Sequence, residues 1–98
     1  MKNVKNKTVC PAMVMMQLLS KKHMLSLIYT VTEDPKGFND IQHSLNINTA
    51  TLTTRLRELQ KSELIEKKVC TKDSRHTYYS LTKRGLKLSH LIGKFGEI

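Results

Sequence analysis

Apolar positions recur with a helical period along most of the chain and switch to a period of two near residue 65. Residues 12–19 are apolar almost all round, with Met13, Val14, Met16, Leu18 and Leu19, and Pro11 suits the first turn of a helix there. A short helix with no polar face must be covered on several sides, and in so small a chain a second subunit can supply one of them. Met24, Leu27, Ile28 and Val31 form one stripe of a second helix, predicted from about Lys22 to Glu33. Asp34-Pro35-Lys36-Gly37 stops it, because Pro35 disfavours helix at Asp34 and Gly37 permits a turn.

Phe38, Ile41 and Leu45 share one face of a short third helix that Asn39 or Asp40 can cap. Asn46-Ile47-Asn48 is a tight break, and Asn48 is a good N-cap for a fourth helix from about Thr49 to Ser62. Its inward stripe is Leu52, Leu56 and Leu59. Opposite lie Ala50, Thr54, Arg57 and Lys61, with Thr51 and Thr53 at the flanks. Ile65 and Val69 then fall on one strand face with Lys67 between them. Lys72-Asp73-Ser74-Arg75 reads as a turn, and Thr77–Leu81 as the return strand, rich in strand formers. Thr82 can cap a last helix with the stripe Leu88, Leu91, Ile92 and Phe95, whose end Gly93 and Gly96 weaken. A helix-turn-helix followed at once by a two-stranded wing defines the expected fold class: mainly α with a small β-hairpin (α+β), a winged helix-turn-helix.

Composition narrows the partners. Lys and Arg number 17 against 8 Asp and Glu, a formal charge of +9, which favours polyanions. No apolar run is long enough for a membrane span. Residues 1–9 are basic and polar and read as a flexible arm. Residues 10–98 form one domain. Cys10 and Cys70 are too few for a disulfide framework, which makes a reducing cytoplasm the default setting.

The candidate chemistry is recognition of double-stranded DNA. Asn48, Thr49, Thr51, Thr53 and Thr54 are small polar residues near the start of a helix able to enter a major groove, and a Thr methyl can touch a thymine methyl. Arg55, Arg57 and Lys61 are long cations suited to phosphate or, for an arginine, to guanine. Lys72, Arg75 and His76 at the wing tip suit phosphate or a minor groove, Arg75 above all. The alternative for the helix is a solvated polar face in a protein-interaction module, and for the wing a charged turn. Cys10 precedes a helix N-terminus and follows Lys5 and Lys7, surroundings that favour a thiolate; it is either a redox switch or an unreactive thiol. The four histidines show no metal-ligand spacing, no cofactor motif is present, and no P-loop, GxGxxG, HExxH or GxSxG points to an enzyme. RNA binding wants exposed aromatics, and three Tyr and two Phe without a Trp, mostly at core-like positions, do not supply them.

Cys10-Pro11, Gly37-Phe38-Asn39-Asp40-Ile41, Leu52-Thr53-Thr54-Arg55-Leu56-Arg57-Glu58-Leu59, Leu64-Ile65 and Tyr79-Ser80-Leu81-Thr82 with Gly85 and Leu86 follow one another in order over residues 10–92. In these segments the chain resembles the HxlR family of winged-helix regulators, relatives of the MarR family. The resemblance implies a homodimer built from the N- and C-terminal helices, two recognition helices reading a palindromic operator, and control of nearby genes. It also implies a sensing role for the N-terminal cysteine, here Cys10, toward oxidants or electrophiles. The small-molecule effector, the operator and the sign of regulation are not legible. Where the family has a left-handed glycine before Leu64 this chain has Glu63, at an expected cost of about 1 kcal/mol if that geometry is kept.

Overall fold

In the computed structural model the described residues are 10–32, 34–69 and 77–98. Residues 1–9, read as a basic arm, Cys70, and Lys72, Arg75 and His76, expected at a wing tip, lie outside them. Five helices and three short strands run in the order α1 (Pro11–Leu19), α2 (Met24–Thr30), β1 (Lys36–Gly37), α3 (Phe38–Leu45), α4 (Thr49–Lys61), β2 (Ile65–Val69), β3 (Thr77–Leu81) and α5 (Lys83–Gly93), followed by a 3₁₀ turn at Lys94–Glu97. The predicted winged helix-turn-helix is the fold observed.

The leucine stripe of α4 meets the stripes of α2 and α3. Met24, Leu27 and Ile28 from α2, Ile41 from α3, and Leu52, Leu56 and Leu59 from α4 are buried in one cluster, which Leu64, Ile65 and Tyr79 extend beneath the sheet. Burying such side chains contributes about 1.5–3 kcal/mol each, enough to override weak local preferences in short helices.

The sheet has one strand more than expected. Lys36 and Gly37 pair antiparallel with Tyr79 and Tyr78, so β3 lies between β1 and β2. Gly37 is extended rather than in a turn and serves as the N-cap of α3, which starts at Phe38 instead of after Asn39 or Asp40. The hydrogen-bonding edge of β3 draws this pair of residues into a strand too short to show any periodicity. In the hairpin, Ile65 faces Leu81, Lys67 faces Tyr79, and Val69 faces Thr77. These three pairs share one face. Tyr79 is buried on it, and burial pushes its phenol pKa up.

Helix α2 is shorter than predicted at both ends. His23 sits in the left-handed region at φ 70° and starts the helix at Met24, and Val31 leaves helical geometry at the other end. Helix α4 ends in a complete Schellman motif. The Leu64 amide donates to the Leu59 carbonyl at 3.0 Å, the Glu63 amide donates to the Gln60 carbonyl at 3.0 Å, and Glu63 holds φ 60°. The expected left-handed cap is therefore kept without a glycine.

Thr82 fastens the wing root to α5. Its Oγ1 accepts from the Gly85 amide at 3.0 Å and donates to the Glu63 carbonyl at 2.7 Å, while its own amide donates to the Leu64 carbonyl at 3.1 Å. The predicted cap on α5 is thus also a tie to the end of α4. No helix among the described residues is long and apolar enough to cross a membrane.

Candidate nucleic-acid interface

A helix can enter a DNA groove only if its outer face and its leading end are unobstructed. On α4 the leucines face inward, and Ala50, Thr54, Arg57 and Lys61, one stripe along the opposite side, are all exposed. Asn48 and Thr49 at the leading end are exposed as well, and Thr51 and Thr53 are half-buried at the flanks. The predicted division of this helix into an inner and an outer face is the one seen.

The leading end is tightly organised. Asn48 Oδ1 accepts from the Thr51 amide at 2.8 Å and caps the helix. Asn46 closes α3 in the left-handed region at φ 53°, which asparagine tolerates, with its amide donating to the Gln42 carbonyl at 2.8 Å. Gln42 Nε2 then reaches across the turn and donates to the Ile47 carbonyl at 3.1 Å and to Thr49 Oγ1 at 3.0 Å. Gln42 on α3 is thereby hydrogen-bonded to both the turn and the first residue of α4. Further along, exposed Thr54 donates its Oγ1 proton back to the Ala50 carbonyl at 3.0 Å, which leaves both lone pairs of that oxygen to accept.

Arg55 stands apart from the other predicted contacts. Its Nε donates to the Lys22 carbonyl at 3.1 Å and its Nη1 donates to Glu58 Oε1 at 2.7 Å, with the side chain 20 % exposed. Lys21 Nζ donates to the other oxygen of the same carboxylate, and this donor above all, with Arg55 adding to it against a partial desolvation, holds the Glu58 pKa below the usual carboxylate value. Arg55 is engaged within the subunit as a strut between α4 and the segment joining α1 to α2. Arg57 and Lys61 carry the positive charge that faces solvent on α4, and Lys67 and Lys68 on β2 are exposed too. Lys72, Arg75 and His76 fall outside the described residues.

Cys10 is exposed as the N-cap residue of α1, with Pro11 following it into the helix. No residue of α1 is buried. Met13, Val14 and Met16 lie about half exposed, as do Leu91 on α5 and Phe95 just beyond it.

Sequence reasoning missed Gln42 and the Lys21–Glu58–Arg55 cluster. For Gln42 the signal was the adjacent break: a long amide on the helix before a two-asparagine turn is placed to close that turn. The cluster joins residues 37 apart, which no local pattern exposes.

Residues 18–98 match the family described as HxlR-like helix-turn-helix. The chain belongs to the HxlR family. It is 31 % identical over 83 residues to the HTH-type transcriptional regulator YodB of Bacillus subtilis, covering 83 % of this chain and 74 % of that protein. The solved structure of the reduced form of YodB superposes with a TM-score of 0.80 at 27 % identity, covering 91 % of this chain and 89 % of that one; a quinone-bound form of YodB superposes at 0.78, covering 91 % and 94 %. A MarR-family regulator structure from Porphyromonas gingivalis matches in fold, with a TM-score of 0.80 at 22 % identity over 98 % of this chain and 94 % of that chain. This HxlR-family chain is a transcriptional regulator, a class that works by binding DNA, and its named relatives are regulators rather than enzymes.

Proposed function

We propose that the protein is a homodimer that binds double-stranded DNA in a sequence-specific manner and reads a palindromic operator with one α4 helix per half-site. The observation that carries this reading is the two-sided build of α4: Leu52, Leu56 and Leu59 buried, and Ala50, Thr54, Arg57 and Lys61 exposed along the opposite stripe. Asn48, Thr49, Thr51, Thr53 and Thr54 meet base edges or nearby phosphates, and Arg57 and Lys61 meet phosphate. Arg55 serves by aiming the helix. Lys72, Arg75 and His76 on the wing take the flanking backbone or minor groove. A formal charge of +9 supports association with the polyanion. The pairing surface is the half-exposed apolar face of α1 together with Leu91 and Phe95, since a monomer of this size rarely leaves so many large apolar side chains in water. Such a regulator works in the cytoplasm, beside the genome it controls.

The test is selection of bound sequences from a random duplex pool. The expected result is an inverted repeat whose half-sites lie about one helical turn apart, with binding that weakens steeply as salt rises. Failure to enrich any sequence, with only weak charge attraction at low salt, would instead make this a protein-docking winged helix.

Regulation through Cys10 is part of the same reading. It is supported by the exposure of this thiol at the head of an apolar, partner-seeking helix and by the existence of a quinone-bound form of the relative YodB. On a benzoquinone the Cys10 sulfur forms a bond to a ring carbon with its own electron pair. The thiol proton and the displaced ring hydrogen end on the two oxygens, leaving a hydroquinone thioether. Treatment with benzoquinone is expected to lower operator affinity in the wild type and in Cys70→Ser, and to leave Cys10→Ser unaffected; an unchanged response in Cys10→Ser removes Cys10 from the mechanism.

A further inference from the structure

The side-chain amide of Gln42 has its orientation decided by chemistry. The Ile47 carbonyl oxygen can only accept, so the atom facing it at 3.1 Å must be the amide nitrogen. The second proton of that nitrogen goes to Thr49 Oγ1 at 3.0 Å. Both protons are then in use. Thr49 Oγ1 is an acceptor on this side, so its own proton cannot point at Gln42. Thr49 is exposed at the first position of α4, and its hydroxyl makes no other hydrogen bond among the described residues. Its proton therefore faces outward.

The neighbours sharpen the pattern. Asn48 has one lone pair of its oxygen taken by the Thr51 amide, while both Nδ2 protons remain to be donated. Thr54, one turn later, has the reverse arrangement, with its proton directed at the Ala50 carbonyl. The first turn of α4 offers donors, and the next turn offers a methyl group and an acceptor.

Resting on the DNA-binding reading above, we propose that Gln42 is a positioning residue for recognition: by occupying the Thr49 oxygen it presents the Thr49 hydroxyl to DNA as a hydrogen-bond donor. The group it meets is an acceptor, either a phosphate oxygen or an acceptor atom on a base edge such as purine N7, guanine O6 or thymine O4. Gln42 acts without touching DNA itself.

The experiment is a double-mutant cycle on duplex binding, with Gln42→Met, Thr49→Val and the double variant, each checked for unchanged thermal midpoint to within a few degrees. Where Gln42→Met falls outside that limit, Gln42→Leu, which also removes both hydrogen bonds, takes its place in the cycle. Gln42→Met is expected to weaken binding of the selected duplex about three- to tenfold, the equivalent of one neutral hydrogen bond, and to have no effect when Thr49 is already Val. Equal losses in both backgrounds would overturn the proposal and leave Gln42 as a brace for the turn. The duplex pool separates the two acceptors. If Thr49→Val erases preference at one base position the partner is a base edge, and if it weakens all sequences alike the partner is a phosphate. A wild-type protein that binds no duplex DNA rejects the DNA-binding reading itself, whereas salt-sensitive wild-type binding with additive variants rejects the Gln42 proposal alone.

Discussion

A Cβ placed on Gly85 would stand 2.1 Å from the carbonyl oxygen of Leu64 and 3.0 Å from the Leu81 side chain. Gly85 is buried in the first turn of α5, where its amide is capped by Thr82, and Leu64 is the residue at which the recognition helix hands over to the wing. The close approach of these two backbones lets one threonine join three elements.

Gly85→Ala is therefore expected to destabilise the fold. The backbone of Leu64 cannot yield, because it also accepts from the Thr82 amide. Overpacking against such a neighbour costs about 1–3 kcal/mol or more, and urea unfolding should show a lower midpoint with the same slope. An unchanged midpoint would mean that the wing root has more give than this geometry allows.

Glu63→Gly is expected to do the opposite. Glu63 holds φ 60° with both Schellman hydrogen bonds in place, so a glycine loses no contact there and relieves the left-handed strain. The gain is about 0.5–1 kcal/mol after the entropy of the added glycine is counted, which raises the melting temperature by a few degrees in a domain of this size. Calorimetry on the two proteins decides it.

The Glu58 carboxylate makes a pH-dependent contribution. Its pKa in the folded protein is lowered, chiefly by the hydrogen bond from Lys21. Stability from this pairing is thus present above the ordinary value of 4.5 and is lost as pH falls through the lower folded value. Glu58→Gln should cost about 0.2–1 kcal/mol near neutrality, the range for exposed pairs, and the two proteins should converge in urea midpoint in strong acid. A gap that persists there would assign the effect to packing.

Leu91→Glu and Met13→Glu are expected to leave each subunit folded, since both positions are more than half exposed in the single chain. Sedimentation should show a dimer for the wild type and monomers for both variants. Operator affinity should drop by orders of magnitude, because two linked half-site contacts become one. Dimers persisting in both variants would move the pairing surface elsewhere.

Much of this architecture was legible from residue spacing. The Leu52, Leu56 and Leu59 stripe predicted both the inner face of α4 and its exposed counterpart, and Asn48 and Thr82 announced the caps they make. Helix burial is a periodic property, so it leaves a periodic trace. The left-handed residue at 63 was expected from the resemblance of the segment around it. What escaped were features with no period. Strand β1 is two residues long and exists because β3 offers it an edge. The left-handed His23 and the Gln42 bridge are single-residue events. Lys21, Arg55 and Glu58 meet only once α1, α2 and α4 have packed.

The last of these clusters has a mechanical meaning. Here one carboxylate is held from two sides, with Arg55 bonded in addition to the Lys22 backbone, so the turn after the first helix is tied to the fourth helix. In the proposed dimer, a tilt of the first helix against its twin would pass through this cluster to the fourth helix. In that proposed assembly the span between the two rods would answer to the seam, far from any nucleotide.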